Sequence, residues 1–161
     1  MSETSHGIHG ISDLKLKHSL GVARKAYAIA KERGHNEGYA RKMFVIGLLH
    51  DAGYEFSATG KGHAEISGEV LSMLAEEETV KTDPVLRNAV NAIATHGNPD
   101  AEQTEEWLIL NAADMQVNGY GQDVGYELRL KDITDRYGPD SEEARKSARV
   151  VSIVKEHNIS R

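Results

Sequence analysis

Four histidines and two aspartates have the types and positions to do chemistry in this sequence: His18, the adjacent pair His50 and Asp51, His63, His96 and Asp114. Imidazole nitrogen and carboxylate oxygen are the donors that suit iron, manganese, cobalt, nickel or zinc when sulfur is lacking. The chain has no cysteine, so thiolate sites and disulfides are excluded and any metal must be held by nitrogen and oxygen. Taken singly, each residue has a plainer explanation. His18 is spaced with Leu14, Val22 and Ile29 on one helical face, as a core histidine with a hydrogen-bond partner would be. Asp51 could cap the turn after His50 while His50 packs. Asp114 shares a stripe with Leu110 and Val117 and could be paired with an arginine. His63 opens a helix after "GKG", and His96 closes one just before Gly97. Together, however, the six recur on inward faces or at the ends of five helical segments, which is how a helical domain builds an internal metal site.

The segments that must position them are read from apolar periodicity. "DLKLKHSLGVARKAYAIAKERG" starts at Asp13, a candidate N-cap, and stops at Gly34. "EGYARKMFVIGLLHDAG" is closed by Gly53, and "HAEISGEVLSMLAEE" forms a third helix. Pro84 opens "PVLRNAVNAIATHG" in the first-turn position that proline tolerates, and Gly97 ends it. A fifth helix is expected from Thr104 to near Gly119, followed by two more separated at Gly138 and Pro139. The pattern predicts an all-α fold: one compact bundle of about six to seven helices over residues 13–161, preceded by a loose polar arm over 1–12. A chain of 161 residues can bury such a core without staples.

The formal charge of -6 argues against tracking a long nucleic acid. Small anionic substrates are compatible with it if a bound cation supplies a local positive centre. No apolar run approaches the roughly 20 residues of a membrane span, and "MSETSHGIHG" lacks the charged-then-apolar order of a signal peptide. A soluble cytoplasmic protein with no membrane partner is the expectation.

The order H…HD…H…H…D, carried by "HSLGVARKAYAIA", "GLLHDAG", "GHAEISGEVL", "IATHG" and "LNAADM", resembles the HD-domain superfamily of metal-dependent phosphohydrolases. The likeness runs from His18 to Asp114. It implies an all-α HD fold in which His18, His50, Asp51 and Asp114 hold one ion, while His63 and His96 hold a second with Asp51 bridging. The implied cofactor is a pair of divalent or mixed-valent transition-metal ions, iron or manganese first and cobalt, nickel or zinc next. Two such ions roughly 3.5–4 Å apart activate water and clamp a phosphoryl oxygen. The implied reaction is therefore hydrolysis of a phosphoester or phosphoanhydride bond in a small nucleotide.

Three residues take catalytic roles in that reading. Asp51 serves both ions, Lys61 in "TGKGH" reaches a phosphate, and Glu65 acts as general acid or base. A solvated loop lysine and a solvent-facing helix glutamate are the alternatives for the last two. Asn118, Tyr120, Tyr126 and Arg129 could stack on a base or contact phosphate, or could simply pack. His6, His9, His35 and His157 match no segment and are read as surface residues.

The six-residue set and the 18 positions from His96 to Asp114 most resemble the diadenosine tetraphosphate hydrolase branch, although Tyr54 stands where many binuclear members carry lysine. Two other classes share the pattern: mixed-valent di-iron oxygenases acting on a small phosphonate or similar substrate, and noncatalytic nucleotide-binding regulatory modules. A homodimer is compatible with all three readings.

Overall fold

The computed structural model describes residues 13–51 and 83–161, with backbone alone at positions 13 and 14. Among these residues there are six helices: α1 Asp13–Glu32, α2 Glu37–Leu49, α3 Pro84–Ala94, α4 Glu105–Asp114, α5 Tyr126–Tyr137 and α6 Glu142–Glu156. No strand is formed among them beyond one isolated antiparallel bridge, Val117 to Asp123. The all-α expectation holds. The expected polar arm and the helix starting at His63 lie outside the described residues.

Local chemistry sets most helix starts. The side chains of Asn36, Asp83, Thr104 and Ser141 each accept a backbone N–H in the first turn of α2, α3, α4 and α6. Each satisfies a donor that the helix itself leaves orphaned. Pro84 occupies the start of α3 as its sequence context predicts.

The core is organised around α4. Every residue from Glu106 to Ala113 is buried, so this helix has no solvent face. It packs against α1, α2, α3 and α6, while α5 lies on α6. Val22, Ala26 and Ile29 of α1, Met43 and Ile46 of α2, Ile93 of α3, Trp107 and Leu110 of α4, and Val150 and Val154 of α6 form one continuous cluster. Polar ties fix the near end of α4: Arg33 forks Glu105 through Nε and Nη2 at 2.6 and 3.0 Å, and the Tyr39 hydroxyl donates to buried Glu106 at 2.7 Å. His35 is not a bare surface residue. It stacks on Tyr39 with ring centroids 4.0 Å apart, and its Nε2 lies 2.7 Å from Glu105 Oε2.

The fifth helix is shorter than its periodicity predicts, ending at Asp114 rather than near Gly119. Asn118 explains the stop. Its Oδ1 accepts from the backbone N–H groups of Tyr120 and Gln122, and its own N–H donates to Gln122 O, which closes a tight loop. Gly121, at φ +83°, lets that loop lie directly on α1, where a Cβ would strike the Lys17 carbonyl. A Cβ on the facing Gly21 would come within 2.7 Å of Gly121 Cα.

Candidate metal centre

Close helix packing brings the first donors together. A Cβ on Gly47 would sit 2.8 Å from Ala23 Cα, so only glycine lets α2 cross α1 this tightly. The crossing sets His50, at the end of α2, beside His18 of α1 with ring centroids 5.4 Å apart. His96, just beyond α3, joins from the other side with its ring 5.2 Å from His50. Asp51 follows His50 in the chain, and Asp114 is the last residue of α4.

Five side chains therefore converge. Asp114 Oδ1 lies 3.0 Å from His18 Nε2 and 3.4 Å from His50 Nε2. Asp51 Oδ2 lies 3.2 Å from His50 Nε2 and 3.7 Å from His18 Nε2, while its Oδ1 lies 3.5 Å from His96 Nε2. The two oxygens of Asp51 thus face different histidines. Donor atoms of His18, His50 and Asp51 all fall within 4.8 Å of one another, as do those of His50, His96 and Asp114.

Each imidazole is oriented by a backbone carbonyl. His18 Nδ1 is 3.0 Å from Asn118 O, His50 Nδ1 is 2.6 Å from Gly47 O, and His96 Nδ1 is 2.6 Å from Ile93 O. A carbonyl can only accept, so every Nδ1 carries a proton, and every Nε2 is the ring nitrogen turned to the cluster, where a bound cation would take the place of a proton. This is the orientation that ligating histidines need. For His50 and His96 the acceptor is the carbonyl three residues back at a helix end, which also accepts that histidine's own backbone N–H at 3.5 Å.

Donor spacing and charge test whether a cation suits the centre. Ligands about 2.1 Å from a shared ion stand roughly 3.0 Å apart in an octahedron and roughly 3.4 Å apart in a tetrahedron, close to the separations found here. Among the described residues His50 Nε2 is fully enclosed and has no hydrogen-bond partner, the unmet requirement that a bound cation would satisfy. Burial pushes the His50 imidazole pKa down, yet the carboxylates of Asp51 and Asp114 outweigh it and hold the group well above its ordinary value. Burial likewise raises Asp114, and the facing His50 and His18 reverse that and hold it well below the usual carboxylate range. The His50 shift shows that the two carboxylates favour positive charge at this ring, and the Asp114 shift that its carboxylate stays ionised beside it. Three helix C-termini add to this preference for positive charge, since α2, α3 and α4 all end at the cluster with the negative pole of their dipoles inward. The donors fit a divalent transition metal.

Of the sequence-predicted site residues, His18, His50, Asp51, His96 and Asp114 are brought together. His63, Lys61 and Glu65 lie outside the described residues. Arg129 of α5 reaches the edge of the centre: its Nε donates to Asp114 O at 3.1 Å, and its Nη2 is 3.8 Å from Asp114 Oδ1. The core aspartate therefore has both an arginine and two histidines beside it. Tyr126 is buried and its hydroxyl donates to Ile159 O at 2.8 Å, so it packs rather than faces a ligand. The orienting carbonyls and the three contact glycines, Gly21, Gly47 and Gly121, were not read from the sequence. A small residue on the buried face of a helix, three positions before a candidate ligand, is the signal that Gly47 offered.

Comparison with known proteins agrees with this geometry. The family profile described as the HD domain matches residues 16–118. Ribonuclease Y from Clostridium perfringens (strain 13 / Type A) is 37% identical over 100 residues, covering 62% of this chain and 17% of that protein. Ribonuclease Y from Fusobacterium nucleatum is 32% identical over 100 residues, with the same coverage of both chains, 62% and 17%. Ribonuclease Y from Thermus thermophilus is 35% identical over 100 residues, which is 62% of this chain and 15% of that protein. The match thus spans about a sixth of these curated relatives. No solved structure matches the chain.

Proposed function

The chain belongs to the HD-domain family, and on that premise we propose that it is a metal-dependent phosphohydrolase cleaving a phosphoester or phosphoanhydride bond of a small nucleotide. One observation carries the reading: three imidazoles, each with Nδ1 tied to a carbonyl, aim Nε2 at two carboxylates around an enclosed His50 nitrogen that has no hydrogen-bond partner among the described residues. His18, His50, Asp51 and Asp114 would hold one ion. His96 would belong to a second together with His63, and the division of the Asp51 oxygens between His50 and His96 supports Asp51 as the shared ligand. Iron or manganese is the first choice for this donor set, with cobalt, nickel or zinc next.

A bound ion would supply Lewis acidity and a water of lowered proton affinity. The chain's own residues do the rest. The carbonyls of Asn118, Gly47 and Ile93 fix the ring planes and keep each proton on Nδ1. Arg129 offers a half-buried guanidinium beside Asp114, where it would meet the phosphoryl oxygens of the substrate. Lys61 is proposed as a second phosphate contact and Glu65 as the general acid or base. The diadenosine tetraphosphate hydrolase branch is the finer form of the proposal, on the strength of the six-residue pattern. The names of the relatives favour a second reading, in which the bond cleaved is a phosphodiester of RNA.

The test is metal analysis of protein purified without chelators. It is followed by a panel containing mononucleotides, diadenosine tetraphosphate and short RNA, assayed under argon with manganese or cobalt. Turnover without oxygen is expected and separates hydrolysis from the oxygenase class; a metal-replete protein silent across the panel would favour a regulatory module. Asp51→Ala should lose metal and turnover together, and full retention of both would overturn the assignment.

A further inference from the structure

Beside the metal centre lies a cavity of about 360 Å³, floored by α5 and walled by the loop that ends α4. Pockets of this size hold small ligands. Tyr120 and Leu128 line it and are 68% and 55% exposed, two large apolar side chains left open to solvent at one place. Val124 adds apolar lining, and Asp132 and Arg136 place an acceptor and a donor along the same wall. Leu128, Asp132 and Arg136 recur every four residues, so they form one stripe of α5. Arg129, one residue on, turns toward Asp114 instead.

Two residues link the cavity's lining to the centre. Asn118 lines the cavity while its carbonyl orients His18 at 3.0 Å. Asp132 lines it too, with its carboxylate 3.6 Å from Arg129 Nη1, and Arg129 in turn touches Asp114. A ligand whose phosphate lay at Arg129 would therefore have its next several ångströms of structure at the cavity mouth. An exposed tyrosine ring and apolar side chains suit a flat heterocycle, and a carboxylate with a guanidinium suits an edge bearing N–H donors and acceptors.

We propose that this cavity is a nucleobase subsite, in which Tyr120 stacks on the base of a nucleotide whose phosphate lies at the metal centre. The inference rests on the phosphohydrolase reading and names what that site recognises. The base could come from a free nucleotide or from the end of an RNA strand.

Calorimetric titration of the full chain loaded with manganese tests it without needing turnover, using guanosine 5'-monophosphate and ribose 5-phosphate as probes. Base stacking on an aromatic side chain corresponds to roughly a tenfold affinity gain. The nucleotide should bind about that much more tightly, Tyr120→Ala should bring it down to the ribose 5-phosphate value, and Tyr120→Phe should restore the preference. Equal binding of the two probes by the unaltered protein, or a preference that survives Tyr120→Ala, overturns the base subsite and leaves the proposed function standing. If neither probe binds the metal-loaded chain, both fall. A 5'-phosphorylated dinucleotide separates the two sources: a further tenfold gain marks an RNA end, and no gain marks a free nucleotide.

Discussion

Gly47→Ala separates helix propensity from the contact that delivers His50 to the metal centre. The new Cβ would lie 2.8 Å from Ala23 Cα, 2.9 Å from Ala23 N and 3.1 Å from Val22 C, all backbone atoms that cannot rotate away. Ordinary carbon contacts begin at about 3.5 Å, so α2 must retreat from α1 by about 0.7 Å. Overpacking of this kind costs about 1–3 kcal/mol, against which alanine returns up to about 1 kcal/mol of helix propensity. Net destabilisation of roughly 0–3 kcal/mol is expected. Gly38→Ala is the control on the same helix, because its Cβ would meet only Asn36 Oδ1 at 3.5 Å, and it should leave stability unchanged or raise it by a few tenths of a kcal/mol. The larger effect is on the site. A retreat of that size moves His50 away from His18 and Asp114, and ligand distances tolerate only about ±0.2 Å. Metal affinity should fall by about ten- to hundredfold in Gly47→Ala and not in Gly38→Ala. Urea unfolding of the metal-free protein and competition with a chromophoric chelator read the two quantities. If Gly47→Ala matches Gly38→Ala in both, the glycine contact does not position the centre.

Two further outcomes follow from contacts away from the histidines. Arg129→Gln should retain its metal yet raise KM for a phosphate substrate by about tenfold or more, as loss of a charge-assisted hydrogen bond would; unchanged steady-state kinetics would remove Arg129 from substrate binding. The carboxyl of Glu105 is held below its ordinary value, first by the hydrogen bond from Arg33 and then by His35, against the opposing effect of burial. A depressed carboxylate stabilises the fold above its unfolded pKa, roughly 4.3, and that support is lost as pH falls through the lower folded value. Glu105→Gln should therefore be less stable than the unaltered protein at neutral pH and approach it in strongly acidic buffer. A difference in urea midpoint that stays constant with pH would refute the pairing.

Much of the fold was legible because the signals were local. Apolar spacing placed α1, α2 and α3, and Pro84 and Thr104 marked the starts of α3 and α4 as they stand. Five of the candidate ligands could be singled out because a histidine or aspartate on an inward helix face or at a helix end is costly without a partner. The end of α4 was not legible: "MQVNGYG" keeps helical periodicity, and what stops the helix is an Asn118 side chain folding back on its own loop. The orientation of His18 was hidden for a similar reason, since its partner is a backbone carbonyl 100 residues away, to which any residue type could contribute. Gly21 and Gly121 give no chemical signal at all until the helix and loop they allow to touch are seen together.

The inward-pointing C-termini of α2, α3 and α4 have a consequence for the sequence of events in a catalytic cycle. With two carboxylates among them, they offset the positive charge of His50 and Arg129, so a phosphate compound should dock weakly until a cation has been added. On the proposed function, loading comes before recognition, and a chelator should weaken nucleotide binding itself and not only the cleavage.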